Sequence, residues 1–231
     1  MVSTLNLIGK GLYTPREAAL YARIKTQTMK RWVFGNNQGL PVVSAESFEE
    51  MEGEPIVTFL DFVQALAIRA ITTGPHGRRA SLQKIREAVN TARDRYGVQY
   101  PFAQEHNTYL FGSEILIELK EGDYRSLTGK RKEQLFLRPV VELYKKRISF
   151  GADGYASEYC AWGSGNLKIT MNPKVRFGEP LMPSGYTAQA LWEGVAAEGS
   201  VEDAKKVFGV STEEIELAYA YFDHLRGNAA A

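Results

Sequence analysis

Within this 231-residue chain, the side chains best suited to chemistry cluster near its start. Thr26, Gln27, Thr28, Lys30 and Arg31 alternate with Met29, Trp32 and Val33, which fall on one helical face and would be buried. A glutamine can bond adenine in bidentate fashion, threonine can meet bases or phosphate, and lysine or arginine can bond guanine or neutralise phosphate. Arg16, Arg23 and Lys25 would lie near the flanking backbone. The competing description is a solvated basic face over a core of Met29 and Trp32.

The elements that would position these residues favour the DNA-reading description. Thr14-Pro15-Arg16-Glu17 starts a helix: Thr14 caps free N–H groups, Pro15 suits the first helical position, and Glu17 completes a capping box. This helix should run to about Tyr21. Ala22 to Lys25 then form a tight turn, and Thr26 is expected to cap a second short helix. A helix-turn-helix puts such a second helix into the major groove, with its first residues at base edges. Asn36-Asn37-Gln38-Gly39 is a turn cluster. Leu40 to Val43 and Pro55 to Val57 could form a two-stranded wing around an acidic loop.

Further along, Thr58 caps a helix that is apolar on most sides and should end near Thr73-Gly74-Pro75. Ser81 opens another, with Leu82, Ile85, Ala88, Val89, Ala92 and Tyr96 in helical repeat and Gly97 as its stop. Lys84, Arg86, Arg93 and Arg95 on its other face, with Arg78-Arg79 nearby, could add phosphate contacts or be a solvated face. Extended segments are expected at Thr108 to Phe111, Glu114 to Leu119, Arg147 to Phe150 and Tyr155 to Cys160, with a turn at Ala152-Asp153-Gly154 and a short helix from Pro139 to Lys145. Gly163-Ser164-Gly165 reads as a flexible joint. Beyond Pro183, three helices are expected over 187–198, 200–208 and 211–226, closed by Gly199, Gly209 and Gly227. Ser200 and Ser211 begin capping boxes. Ala188, Leu191, Trp192, Val195, Ala204, Phe208, Ile215, Ala218, Tyr219 and Phe222 would supply their shared core.

Other chemistry finds little support. The histidines, His76, His106 and His224, are far apart and lack a second ligand at helical or hairpin spacing, so no metal is expected. Thr128-Gly129-Lys130 resembles the end of a phosphate loop, but Tyr124 stands where glycine is required and Arg131 follows the lysine. No nucleophile elbow is present, and the carboxylates sit mostly at helix starts. Neither catalytic residues nor a cofactor are expected. The single cysteine, Cys160, cannot form an internal disulfide and fits a reducing compartment. The longest apolar stretch, Phe59 to Ile71, is broken by Asp61 and Arg69, and no secretory signal is evident. A cytoplasmic protein that does not span a membrane is the expectation.

The net charge of +1 conceals a segregated pattern. Residues 1 to 36 carry six Lys/Arg and one acid, and residues 69 to 95 carry seven and two. Residues 44 to 62 carry six acids and no base, and residues 193 to 226 carry eight acids and three bases. One part of the chain suits a polyanion and another repels it. An acidic C-terminal module suits a basic protein surface or self-association, with Glu213, Glu214 and Glu216 giving charge complementarity and Tyr186 and Tyr221 the buried anchors. A solvated acidic face is the plainer alternative.

Two resemblances follow from these residues. Tyr13-Thr14-Pro15-Arg16-Glu17-Ala18-Ala19 through Met29-Lys30-Arg31-Trp32, with Phe59-Leu60-Asp61-Phe62-Val63 and Ser81-Leu82-Gln83-Lys84-Ile85-Arg86, resembles a MerR-like winged helix-turn-helix over about residues 11 to 97. In the turn, Arg23 stands where a glycine is usual. The stretch from Ile169 to Leu225 resembles the domain of unknown function family number 433. Its landmarks are Asn172-Pro173, Phe177-Gly178-Glu179-Pro180, Glu198-Gly199-Ser200, Ala204 with Phe208-Gly209-Val210-Ser211, and Ile215 with Ala218. Ser184-Gly185-Tyr186-Thr187 replaces a Gly-Thr-Arg segment of many members. This second resemblance implies the antitoxin of a bacterial type II toxin-antitoxin pair, one that represses its own promoter and neutralises a toxin, commonly a PIN-like ribonuclease.

The expected fold class is α+β, mainly helical. A winged helix-turn-helix over 1–97 precedes a small antiparallel sheet segment over 98–162 and an acidic trihelical module over 166–227. Expected partners are double-stranded DNA of the chain's own promoter, a toxin and a second copy in a homodimer, because one short recognition helix rarely suffices alone. A competing reading is a ligand-responsive regulator whose middle segment forms an effector pocket from Tyr109, Phe111, Tyr124, Phe136, Tyr144, Phe150, Tyr155, Tyr159 and Trp162. A third is an enzyme whose N-terminal helices only scaffold a site.

Overall fold

The computed structural model describes residues 10, 12–35, 39–43, 50–51, 54–73, 80–111, 114–120, 123–128 and 146–227. The chain divides into two compact units, Tyr13–Ser157 and Glu158–Ala231 with Met1–Leu12. Runs of helices and of short strands in small sheets follow one another along the chain, consistent with an α+β class.

In the first unit, Thr14 makes the full capping box with Glu17 and opens α1 (Pro15–Ala22). Its hydroxyl accepts from the Glu17 N–H at 3.2 Å, while the Thr14 N–H donates to Glu17 Oε2 at 2.8 Å. The second helix, α2 (Thr26–Val33), is capped by Lys25 rather than by Thr26, and no side chain caps its first N–H groups. Thr26 is already helical because Arg23 ends the previous helix in a left-handed conformation (φ 53°, ψ 48°), which leaves Lys25 as the last extended residue. Both helices pack on α3 (Phe59–Thr73). That helix buries Phe59, Phe62, Val63, Ala65, Leu66, Ala67, Ile68 and Ile71, each contributing about 1.5–3 kcal/mol where the side chain is large. Thr58 starts it, accepting from the Asp61 N–H at 3.2 Å and donating to Asp61 Oδ2 at 2.7 Å.

The expected wing pairs differently. Strand β2 (Glu50–Met51) pairs with β3 (Glu54–Pro55), and β4 (Val57–Thr58) pairs with β1 (Leu12–Tyr13). Leu40 to Val43 are not a strand. Val42 and Val43 are buried, and both of their N–H groups donate to the Trp32 carbonyl, at 2.8 and 3.1 Å. The end of α2 has carbonyls without a helical partner, and this segment satisfies one of them. The Asn36–Gln38 turn, the Gly74-Pro75 stop, Arg78-Arg79, Gly129-Lys130 and the Pro139–Lys145 helix lie outside the described residues.

Ser81 caps α4 (Leu82–Tyr96), accepting from the Lys84 N–H at 3.3 Å, and Gly97 closes it in the left-handed region. This helix packs on a three-stranded antiparallel sheet of β5 (Asn107–Phe111), β6 (Glu114–Lys120) and β7 (Asp123–Ser126). Ile115, Leu116 and Ile117 are all buried, so β6 is covered on both faces. Strand β7 was not expected from the sequence, because Asp-Tyr-Arg-Ser shows no apolar alternation. Strand β8 (Ile148–Phe150) meets the first part of β9 (Ala156–Ser164) through the expected turn, where the Gly154 N–H donates to the Gly151 carbonyl at 2.9 Å.

In the second unit, the remainder of β9 pairs with β10 (Leu167–Met171), with Ser164 opposite Leu167 and Gly163 opposite Lys168. Gly163-Ser164-Gly165 is therefore part of a hairpin and not a joint. Gly163 has φ 79°, and a Cβ there would run into the Leu167 carbonyl oxygen.

Three capped helices follow: α5 (Ala188–Glu198), α6 (Val201–Phe208) and α7 (Thr212–Arg226). Thr187, Ser200 and Ser211 hydroxyls accept from the N–H groups of Ala190, Asp203 and Glu214, at 3.1, 3.0 and 3.3 Å. Ala188, Leu191, Ala204, Ile215, Ala218, Tyr221, Phe222 and Leu225 form the buried core. Gly194 lets the Phe208 ring lie against α5, since a Cβ there would collide with it. Trp192, expected in the core, is half-buried; its ring lies 5.2 Å from that of Phe222 and the Arg226 guanidinium sits 4.0 Å above it.

Candidate nucleic-acid interface

The α1–α2 pair is built by local rules and then locked from outside. The left-handed Arg23 makes the turn that a glycine makes more cheaply; a non-glycine residue there costs roughly 1–2 kcal/mol. The Ile24 N–H donates to the Ala19 carbonyl at 3.0 Å, and Arg69 Nη1 of α3 donates to the Ala22 carbonyl at 3.1 Å. A cation at the end of α1 thus satisfies an orphan acceptor and the negative end of the helix dipole together.

On α2, Met29, Trp32 and Val33 are buried, as their spacing predicts. Gln27, Lys30 and Arg31 are exposed at i, i+3 and i+4, on one solvent face. Lys25 and Arg16 are exposed, while Thr26, Thr28 and Arg23 are half-buried. Among the described residues, Arg16, Lys25, Lys30 and Arg31 make no side-chain hydrogen bond or ion pair. Their charge is available to an outside anion. The uncapped N-terminus of α2 adds N–H groups to that cationic face.

Two basic residues of α4 behave otherwise. Arg86 Nε donates to the Pro41 carbonyl at 3.0 Å and its Nη2 to the Leu40 carbonyl at 2.8 Å. Arg93 Nε donates to the Gln99 carbonyl at 2.9 Å. These two arginines hold loops, which nothing in their helical spacing could have signalled.

In the C-terminal unit, Tyr186, Glu213 and Glu216 are exposed as expected. Glu214 and Tyr221 are corrections: they are only 8% and 2% exposed. Glu214 Oε1 accepts from the Ser184 N–H at 2.8 Å, so this carboxylate fastens the 184–186 segment to the start of α7 instead of closing the capping box begun by Ser211. Tyr221 lies in the core with its ring 5.6 Å from that of Phe222. On the surface, the pKa of Asp203 is lowered by the Ser200 hydroxyl and then by Lys206. That of Glu213 is lowered first by its own backbone N–H and then by the Ser211 hydroxyl.

Among the described residues no three His, Cys, Asp or Glu side chains gather as a metal site, and no helix is long and apolar enough to cross a membrane.

No protein-family model matches the chain. It is 23% identical to "Putative antitoxin VapB45" of Mycobacterium tuberculosis over 90% of its own length and 92% of that protein's. Its fold is similar to that in the crystal structure of Rv2018 from Mycobacterium tuberculosis, with a TM-score of 0.62 and 19% identity, covering 92% of this chain and 99% of that one.

Proposed function

We propose that the chain is a non-enzymatic, cytoplasmic antitoxin. In this reading its first unit is a winged helix-turn-helix that binds the chain's own promoter as a homodimer and represses it, while the acidic second unit neutralises a partner toxin, a PIN-like ribonuclease. The observation that carries the DNA half is the face of α2. Gln27, Lys30 and Arg31 point to solvent on a helix whose opposite face is buried, and the cations among them have no partner among the described residues. The name of the relative that shares nine-tenths of the chain supports the toxin half. Gln27 and Arg31 would contact base edges, and Arg16, Lys25 and Lys30 phosphates.

The test is a mobility-shift titration of the intact protein on a duplex from its own promoter, at two or more salt concentrations. Lys30→Ala with Arg31→Ala should weaken binding by about 1–3 kcal/mol for each base-edge bond removed, with a flatter salt dependence. Equal affinity and equal slope would refute the DNA reading. For the toxin, the intact chain is co-expressed with the adjacent reading frame. Glu213→Lys with Glu216→Lys should lose capture and growth rescue, whereas the α2 variant should retain both.

A further inference from the structure

Among the described residues, the loop after β10 contains the longest run of left-handed backbone. Arg176, Phe177 and Gly178 have φ of 43°, 55° and 92°, three consecutive residues in the left-handed region, and two of them carry side chains that this region disfavours. Such a conformation is ordinarily held by burial of its side chains. Here Phe177 is 57% exposed and Val175 44%, with Lys174 and Arg176 exposed beside them. Among the described residues, Phe177 makes no ring contact and Lys174 and Arg176 make no ion pair.

The loop is nonetheless fully braced. The Lys174 N–H donates to Asn172 Oδ1 at 2.9 Å, the Val175 N–H to the Asn172 carbonyl at 2.9 Å, and the Gly178 N–H to the Val175 carbonyl at 3.0 Å. Pro173 and Pro180 are buried on either side, and Leu181 exchanges two bonds with Thr170, at 2.8 and 3.0 Å. A strained, braced tip that holds an aromatic ring in water is pre-organised to bind, because its ordering cost is already met in folding.

The same unit carries a complementary surface. Tyr186 lies edge-on to Phe208, their ring centroids 5.1 Å apart, at the end of α6 where Val207 is also exposed. The bond from the Ser184 N–H to Glu214 holds this segment against the start of α7. From there Glu213, Glu216 and Asp223 run along one exposed face of α7. Arg226, the cation nearest its end, is engaged over Trp192, Lys206 is paired with Asp203 at 3.1 Å, and Lys205 of α6 acts on Glu213 only as the least of the influences on its pKa.

We propose that the protein pairs with a second copy of itself through this unit. The Lys174–Phe177 tip of one copy seats Phe177 on the Tyr186, Val207 and Phe208 corner of the other, and its two cations meet Glu213 and Glu216. Charge complementarity selects this occupant. The tip is cationic and apolar, the corner is acidic and apolar, and the acidic balance of residues 193 to 226 disfavours a polyanion. The two copies are placed about a two-fold axis, so that the contact of one tip with one corner is made twice and closes at the dimer. This pairing rests on the homodimer of the proposed function and gives it a contact; a monomeric wild type would overturn both, whereas a dimer that ignores Phe177→Ala and Arg176→Glu would overturn this contact alone.

Sedimentation equilibrium of the intact protein over a range of concentration and salt tests it. The wild type should form a dimer that weakens with salt. Phe177→Ala, Arg176→Glu and Glu213→Arg should each raise the dissociation constant about tenfold or more. An equimolar mixture of Arg176→Glu and Glu213→Arg should restore the dimer, since both contacts of the mixed pair then unite opposite charges. Phe177→Gly supplies a control for folding: glycine tolerates the left-handed backbone, so the variant should keep its thermal transition while losing the dimer. A monomeric wild type, a dimer insensitive to Phe177→Ala and Arg176→Glu, or a mixture that fails to re-form dimers would each overturn the proposal.

Discussion

The two units divide charges of opposite sign between bracing the fold and facing solvent. In the N-terminal unit the cations divide into those that brace the fold and those that stand free of it. Arg69, Arg86 and Arg93 reach backbone carbonyls and brace helix ends and loops, while those of the α1–α2 pair, Arg16, Lys25, Lys30 and Arg31, have no partner among the described residues. In the C-terminal unit the division falls within single helices. Glu213 and Glu216 face solvent, yet Glu214 between them is buried on Ser184. A run of like charge is therefore not a surface of like charge. In both units the individual residue tells which side chains are available to a partner: Arg95 shares α4 with Arg86 and Arg93 but is exposed, with no partner among the described residues.

The largest test of this comparison sets a buried tyrosine against an exposed one. Tyr221→Ala should lower the stability of the protein by about 3–5 kcal/mol in urea unfolding followed by circular dichroism, as loss of a core aromatic does. Tyr186→Ala should cost far less, because its ring is 37% exposed. Equal losses would mean that Tyr186 also belongs to the core.

Next comes Arg86 against Arg31. Arg86→Met removes two bonds to the Leu40 and Pro41 carbonyls and should cost about 1–2 kcal/mol of stability without flattening the salt dependence of DNA binding. Arg31→Ala should do the reverse. A flattened slope for the Arg86 variant would place that arginine on phosphate and dissolve the distinction between Arg86 and Arg31.

Glu214→Gln compared with Glu213→Gln sharpens the division within α7. The Glu214 variant should lose about 1 kcal/mol or more, because a charged acceptor of the Ser184 N–H is replaced by a neutral one. The Glu213 variant should leave the urea midpoint at neutral pH nearly unchanged. Equal behaviour of the two would place both carboxylates at the surface.

The smallest effect is on acid stability. Asp203 and Glu213 both titrate below the usual carboxylate range, held there by the Ser200 hydroxyl and by a backbone N–H respectively. A depressed carboxylate lends stability above its unfolded pKa and loses it as pH falls through its folded value, so the contribution is intact at neutrality and fades below about pH 4. Asp203→Asn should make the acid-side loss slightly shallower in an unfolding series from pH 6 to pH 2. A steeper decline would reverse the sign.

Most helix boundaries were written in the sequence because their physics is local, the start of α2 at Lys25 being an exception. Thr14, Ser81, Thr187, Ser200 and Ser211 each cap an N–H three residues ahead, and Gly97, Gly199 and Gly209 take the left-handed stop that side chains disfavour. The buried face of α2, and with it the outward Gln27, Lys30 and Arg31, followed from helical periodicity alone. What lay beyond reach was set by partners distant in the chain. Arg86 meets Leu40 across 46 residues, and Glu214 meets Ser184 across 30. The hairpin at Gly163 pairs β9 with β10, whose Leu-Lys-Ile-Thr-Met alternation is itself a strand pattern; what the sequence left open was that Gly163-Ser164-Gly165 joins them as a turn and not as a linker. A side chain's reach is a few ångströms in space but has no limit along the sequence. The sequence could therefore determine where helices begin and which face they bury, and only the tertiary structure could decide which charges remained available to a partner.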